Sequence, residues 1–193
     1  MISEKFIFIG VFLQFIGQVS YLLSINRGHA KPDLASWVPW MLAPFIGVFF
    51  QLKAGAGLSV LPIFMAGFGP FLVIIFSILN KNAYWKLTKL DIYCGSFALL
   101  GLVFYIFTHN LGISIVFAIL SDNLAAIPTI IKSWKFPETE NATLFFFAMV
   151  SNIIGLLVIK DWSFTVGAFG VLVVIQCVVI LFCIYRQKIF KVT

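Results

Sequence analysis

The chain has 193 residues, of which 62% are apolar and only 10% are charged, and its mean hydropathy is +1.08. A soluble domain cannot enclose that much apolar surface, so the composition excludes a water-soluble enzyme or binding module and defines a polytopic membrane protein. The net charge of +6 does not signal nucleic acid, because the basic residues stand singly or in small groups between apolar segments, as topology signals and anionic-lipid contacts do.

Seven apolar segments follow one another, at 6–25, 34–52, 56–79, 92–108, 111–131, 142–159 and 163–185. Each supplies the ~17–25 helical residues that a hydrocarbon core ~30 Å thick requires. The first is preceded by one basic residue, Lys5, and no small-residue cleavage site follows it, so it reads as a retained helix. It carries Gln14 and Gln18, four residues apart and therefore on one face. Gly28, Pro32 and Ser36 punctuate the first loop, and Trp37 and Trp40 open the second helix. Gly55 and Gly57 mark the next joint, and Pro137 and Asn141 the loop before the sixth segment. The fourth and sixth joints are very short, so the helices they connect must be antiparallel neighbours.

Seven spans put the termini on opposite sides of the membrane. One side collects Arg27, Lys31, Lys81, Lys86, Lys89, Lys132, Lys135, Arg186, Lys188 and Lys191, and the other only Lys5, Lys53 and Lys160. This asymmetry predicts an outside N-terminus and a cytoplasmic C-terminus. The Asn141-Ala-Thr143 sequon would then face the cytoplasm and stay unmodified. The Phe-, Ile- and Lys-rich composition points to a bacterial cytoplasmic membrane.

A shift of 105 residues lays the first three segments on the last three without a gap. It pairs Pro32 with Pro137, Arg27 with Lys132, Asp33 with Glu138 and Phe64 with Phe169. The even spacing and the shared order of base, Pro-acid and helix carry the repeat. The expected organisation is a three-helix repeat over 1–90, a linker helix over 91–109 and a second three-helix repeat over 110–193. An odd linker makes the repeats parallel, with their axis along the membrane normal.

The segments Ala126-Ile-Pro-Thr-Ile-Ile-Lys-Ser-Trp134 and Pro137-Glu-Thr-Glu-Asn-Ala-Thr-Leu-Phe145 place a helix ending in Ile-Pro, a basic loop and a polar cap in succession. Tyr21 to Trp37 has the same layout. This order resembles the PQ-loop superfamily, which includes the SWEET sugar transporters, cystinosin-type lysosomal exporters and the KDEL receptor. The resemblance implies a 3+1+3 helix arrangement and a central cavity opening alternately to either side. The chain departs from the pattern in several places. Position 129 is Thr rather than Gln, and Leu23 stands where Pro128 stands in the second repeat. Where SWEETs hold sugar with asparagines, the third helix offers Ser59 and Ser77 and the seventh Gln176. Prolines on four helices form a hinge set in SWEETs; here Pro128 is the best match and the sixth helix has none.

Polar groups at membrane depth must line a cavity or bond across helices, since an unsatisfied one costs several kcal/mol in hydrocarbon. Candidates are Gln14 and Gln18, Ser121, Asp122 and Asn123, Ser151 and Asn152, and Gln176. Asp122 stands out, because a carboxyl at the bilayer centre costs at least ~2.5–3.5 kcal/mol and no Lys or Arg lies near the centre of another segment. It reads as a proton-binding carboxyl, a ligand or cation contact, or a neutral acid bonded for packing. Pro44, Pro62, Pro70 and Pro128 are hinge candidates, whereas Pro39 reads as a helix starter. Interfacial anchoring suits most of the tryptophans, including Trp85, Trp134 and Trp162; Trp40 could instead stack on a ligand. Cys94, Cys177 and Cys183 read as buried hydrophobes, and His29 and His109, in loops on opposite sides, form no metal site.

The expected function is a transporter moving a small polar solute by alternating access, with Asp122 coupling it to protons. The alternative is a ligand- or peptide-binding receptor, or a structural membrane subunit, on the same scaffold. A retinal photoreceptor would need a buried lysine for its Schiff base, and the seventh segment has none before Lys188. An enzyme is not expected, since Asp122 lacks a second carboxylate or histidine for acid–base work. Membrane lipids, a small-molecule solute and protons are the expected partners, a homo-oligomer is compatible with the sequence, and no nucleic acid, cofactor or metal is expected.

Overall fold

Sustained apolar runs with few backbone-competing residues have one outcome in lipid, where every N–H and C=O must be bonded within its own segment. The computed structural model describes residues 3–79, 89, 92–93, 96, 99–100, 103–104, 107 and 110–190, and among these there are helices and no strands. They are α1 (Phe6–Asn26), α2 (Leu34–Lys53), α3 (Leu61–Leu79), α4 (Leu111–Lys135), α5 (Ala142–Val158) and α6 (Phe164–Phe190), with single 3-10 turns at Leu58–Val60 and Pro137–Thr139. The fourth apolar segment lies largely outside the described residues, as do Lys81, Trp85, Lys86, Cys94, His109 and Lys191.

Four helical stretches, Phe6–Asn26, Leu58–Leu79, Ile115–Lys135 and Phe164–Arg186, are long and apolar enough to cross a membrane, and Ala142–Val158 is a shorter apolar helix. The distribution of side chains agrees with a lipid solvent. Phe12, Phe49, Phe64, Ile78, Phe107 and Phe164 are among many large apolar residues facing outward, while Gln14, Gln51, Asp122, Ser151 and Asn152 are buried. A soluble domain shows the reverse. The protein is therefore an all-helical integral membrane protein.

The helix ends follow local chemistry. Gly28 and Gly55 adopt left-handed φ values of 72° and 87°, closing α1 and α2 with backbone bonds from Gly28 N to Ile25 O and from Gly55 N to Leu52 O. Asn110 caps α4 by accepting from Ile113 N, and Asn141 caps α5 by accepting from Thr143 N and Leu144 N. The proline reading needs two corrections. Pro62 is the second residue of α3, where a helix lacks the bond that proline removes, so it is no mid-helix hinge. Pro39 lies inside α2, past its first turn, and does interrupt the ladder, as Pro44, Pro70 and Pro128 do in α2, α3 and α4.

The helices close into a ring. α1 packs on α3 and α5, α2 on α3 and α4, and α6 on α4 and α5. Read round the ring, the order is α1–α3–α2 and then α4–α6–α5, so the third helix of each set sits between the first and second. Small residues permit a close crossing between α1 and α5. A Cβ on Gly10 would stand 3.2 Å from Ser151 Oγ, and one on Gly17 3.2 Å from the Leu144 Cα. The paired loop residues differ in burial across the two halves. Arg27 is exposed and Lys132 buried, Asp33 is buried and Glu138 exposed, and Phe64 faces out while Phe169 is enclosed.

Candidate functional site: a cavity inside the helix ring

A ring of six helices whose inner faces carry amides and aromatics leaves space at its centre. Gln14 and Gln18 of α1, Trp40 of α2, Gly69 of α3, Asp122 of α4 and Gln176 of α6 all line one cavity, and Phe145 brings α5 into its wall. The space open to the centres of water-sized molecules is about 80 Å³. A single water needs ~10–15 Å³ by that measure, so several waters or a small solute can enter.

Each polar side chain is fixed differently. Gln18 donates Nε2 to the Met65 carbonyl at 3.0 Å, and α3 makes room for it with Gly69, where a Cβ would overlap the Gln18 amide at 1.7 Å. Trp40 donates Nε1 to the backbone carbonyl of Asp122 at 3.3 Å, tying α2 to α4 beside the carboxyl. Gln176 shares the cavity wall with Asp122, and its Nε2 lies 3.5 Å from Asn123 Oδ1, the long limit of a hydrogen bond. Asp122 is only 3% exposed. Its Oδ2, Gln14 Oε1 and the Trp37 indole N–H have no protein partner among the described residues.

Four of the polar residues picked from the sequence, Ser121, Asn123, Ser151 and Asn152, do not line the cavity. Asn123, one position round α4 from Asp122, turns toward Gln176 and back-bonds to the Ile119 carbonyl. Ser151 is absorbed in the crossing with Gly10 of α1. Asn152 lies one turn beyond Ala148, to whose carbonyl it donates, beside a small void shared with Ser59 and Ile63. Trp37 is not an interfacial anchor: it is 2% exposed, with its ring 4.9 Å from Tyr21 and 5.6 Å edge-on to Trp40. Trp134 and Trp162 are exposed, as boundary residues are. Cys177 and Cys183 are buried free thiols.

One end of the cavity carries a polar network that sequence reasoning missed. Lys132, near the end of α4, forms an ion pair at 2.5 Å with Glu140, and both side chains are enclosed. Glu140 also accepts from Tyr21 Oη at 3.2 Å. The Lys132 ammonium donates to the Lys31 carbonyl, Lys31 N donates to the Thr139 carbonyl, and Thr129 Oγ1 donates to Ser36 Oγ at 3.0 Å. Every one of these contacts except the ion pair joins a residue of the first three helices or their loops to a residue after position 110. At the opposite end, Lys160 pairs with Glu4 at 2.6 Å, with both side chains largely solvated. The Glu4 carboxylate, by its hydrogen bond and its charge, raises the Lys160 ammonium above its ordinary 10.5.

No protein family model, no curated protein and no solved structure matches this chain.

Proposed function

We propose that this protein is a membrane transporter that moves a small polar solute through the central cavity by alternating access, with Asp122 as the coupling group. The observation that carries the reading is the convergence of Asp122, Gln14, Gln18 and Gln176 on one cavity walled by helices from both ends of the chain. Two features support it. The order of helices is the same in the two halves of the ring, which suits a parallel repeat of PQ-loop type whose halves rock against each other. One end is held by inter-half polar contacts around Glu140 and Tyr21, and Tyr21 is also part of the cavity wall. In this reading that network is the closed gate, on the cytoplasmic side of an N-out, C-in chain with seven spans. Enclosed charges suit a gate because Glu140 and Lys132, covered while the halves meet, lose the Tyr21 hydroxyl and the Lys31 carbonyl when the halves part.

The test is flux in proteoliposomes under a panel of small solutes, with proton movement followed beside solute uptake. Solute-dependent proton flux that disappears in Asp122→Asn is the expected result. Uptake without proton movement would leave a facilitator in which Asp122 only touches the solute. Silence with every solute, in protein shown to be folded, would favour a receptor or structural subunit.

A further inference from the structure

The chemistry of the cavity wall selects among solutes, and it does so asymmetrically. Among the described residues, neither Lys nor Arg nor His lines the cavity, so an anionic solute would meet the Asp122 carboxyl with no compensating charge from that wall. At membrane depth an uncompensated like charge is prohibitive. A neutral, many-hydroxyl solute needs donors and acceptors on several sides. The wall instead places its polar groups in a few positions and fills the rest with apolar and aromatic side chains.

The free valences are informative. Asp122 Oδ2 and Gln14 Oε1 are buried acceptors with no protein donor among the described residues, and both residues face the cavity. A buried acceptor left unsatisfied costs ~1–3 kcal/mol, and more if charged, so an occupant that donates hydrogen bonds to both is favoured. Around them stand four aromatic rings, Tyr21, Trp37, Trp40 and Phe145. The Trp37 and Trp40 rings lie edge to face at 84°, giving two differently oriented surfaces. A carboxyl among aromatic faces is the arrangement that recognises an organic ammonium, through charge-assisted hydrogen bonds and cation–π attraction. The Trp37 N–H, also without a protein partner, provides one donor for an acceptor elsewhere on the solute.

We infer that the central cavity binds a small organic cation, a protonated amine or ammonium group on an apolar or aromatic body, with Asp122 and Gln14 taking the cationic head. The inference rests on the transporter reading only for what binding leads to; the binding itself is separable. The experiment compares three isosteric probes on purified protein in nanodiscs, by quenching of tryptophan fluorescence and by calorimetry. They are phenethylamine, its neutral counterpart 2-phenylethanol and its anionic counterpart phenylacetate. Phenethylamine should bind at least about tenfold more tightly than the alcohol, phenylacetate should not bind, and Asp122→Asn should erase the preference for the amine. The wild-type comparison stands even if that variant does not fold. Equal or tighter binding of the alcohol or the anion, or no binding of phenethylamine by folded protein, overturns the inference. Flux distinguishes the two readings: a bound cation that is never transported sinks the transporter, whereas uptake of a sugar without cation binding sinks the cation and leaves the transporter.

Discussion

The tightest fit in the cavity wall is between a glycine and a glutamine. Gly69 leaves the space that the Gln18 amide occupies, and a methyl group there would stand 1.7 Å from Nε2 and 2.1 Å from Oε1. Gln18 would have to swing away and lose its bond to the Met65 carbonyl. Gly69→Ala should therefore destabilise the protein by about 1–3 kcal/mol, the range for inserting a methyl group into a packed site, and shift the thermal midpoint down. Gly112→Ala is the matched control, because its Cβ would meet only Asn110 Oδ1 at an ordinary 3.5 Å. It should leave the midpoint unchanged or raise it slightly, since alanine is the better helix former. Similar melting curves for the two variants would show that Gln18 is not held as described. Gln18 was visible in the sequence as a polar residue at membrane depth, but its need for Gly69 was not, because the two meet only when α1 crosses α3.

At the scale of elements, hydropathy placed the helices well. Five of the six described helices begin within two residues of their apolar segments, and caps at Gly28, Gly55 and Asn141 fall where turn chemistry puts them. Only α3 starts later, because a 3-10 turn at Leu58–Val60 precedes it. What hydropathy could not assign is the fate of charge at the helix ends. Lys132 reads as one more topology-setting base, yet α4 runs on past Ile131 to Lys135 and carries its ammonium inward to Glu140. The partner stands eight residues away across a 3-10 turn, and nothing in a hydropathy pattern brings those two together. Removing one member of an enclosed ion pair strands the other, at a cost of about 3–5 kcal/mol. Lys132→Met should accordingly lower the midpoint far more than a surface substitution such as Lys160→Met, whose pair with Glu4 is solvated and contributes little. The double variant Lys132→Met/Glu140→Gln should recover most of the loss, since no charge is stranded and the glutamine still accepts from Tyr21. A double variant as unstable as the single one would mean that the network holds through shape and not through charge.

For the whole molecule the question is whether the ring opens at the end where its halves are tied. Spacing and the loop identities predict a repeat in the sequence. The structure gives the two sets of three helices the same order round the ring, while the paired loop residues have unlike environments: Lys132 is buried where Arg27 is exposed, and Asp33 where Glu138 is not. The second set, with the loop that precedes its second helix, supplies both members of the buried ion pair. If that end is a gate, tying it permanently should stop transport without disturbing the cavity. Ser36 and Thr129 offer the place, because their hydroxyls meet at 3.0 Å between α2 and α4. Hydroxyls at that distance allow, among other arrangements, the ~3.5–4.5 Å between Cβ atoms that a disulfide requires. In a background with Cys94, Cys177 and Cys183 replaced by alanine, oxidation of Ser36→Cys/Thr129→Cys should abolish solute flux, and a reductant should restore it. Binding of the solute measured in nanodiscs should survive oxidation, because Gln14, Trp40 and Asp122 are untouched. Full flux through the cross-linked protein would show that this end does not part during transport, and would move the gate to the loops around Gly55 and Lys160.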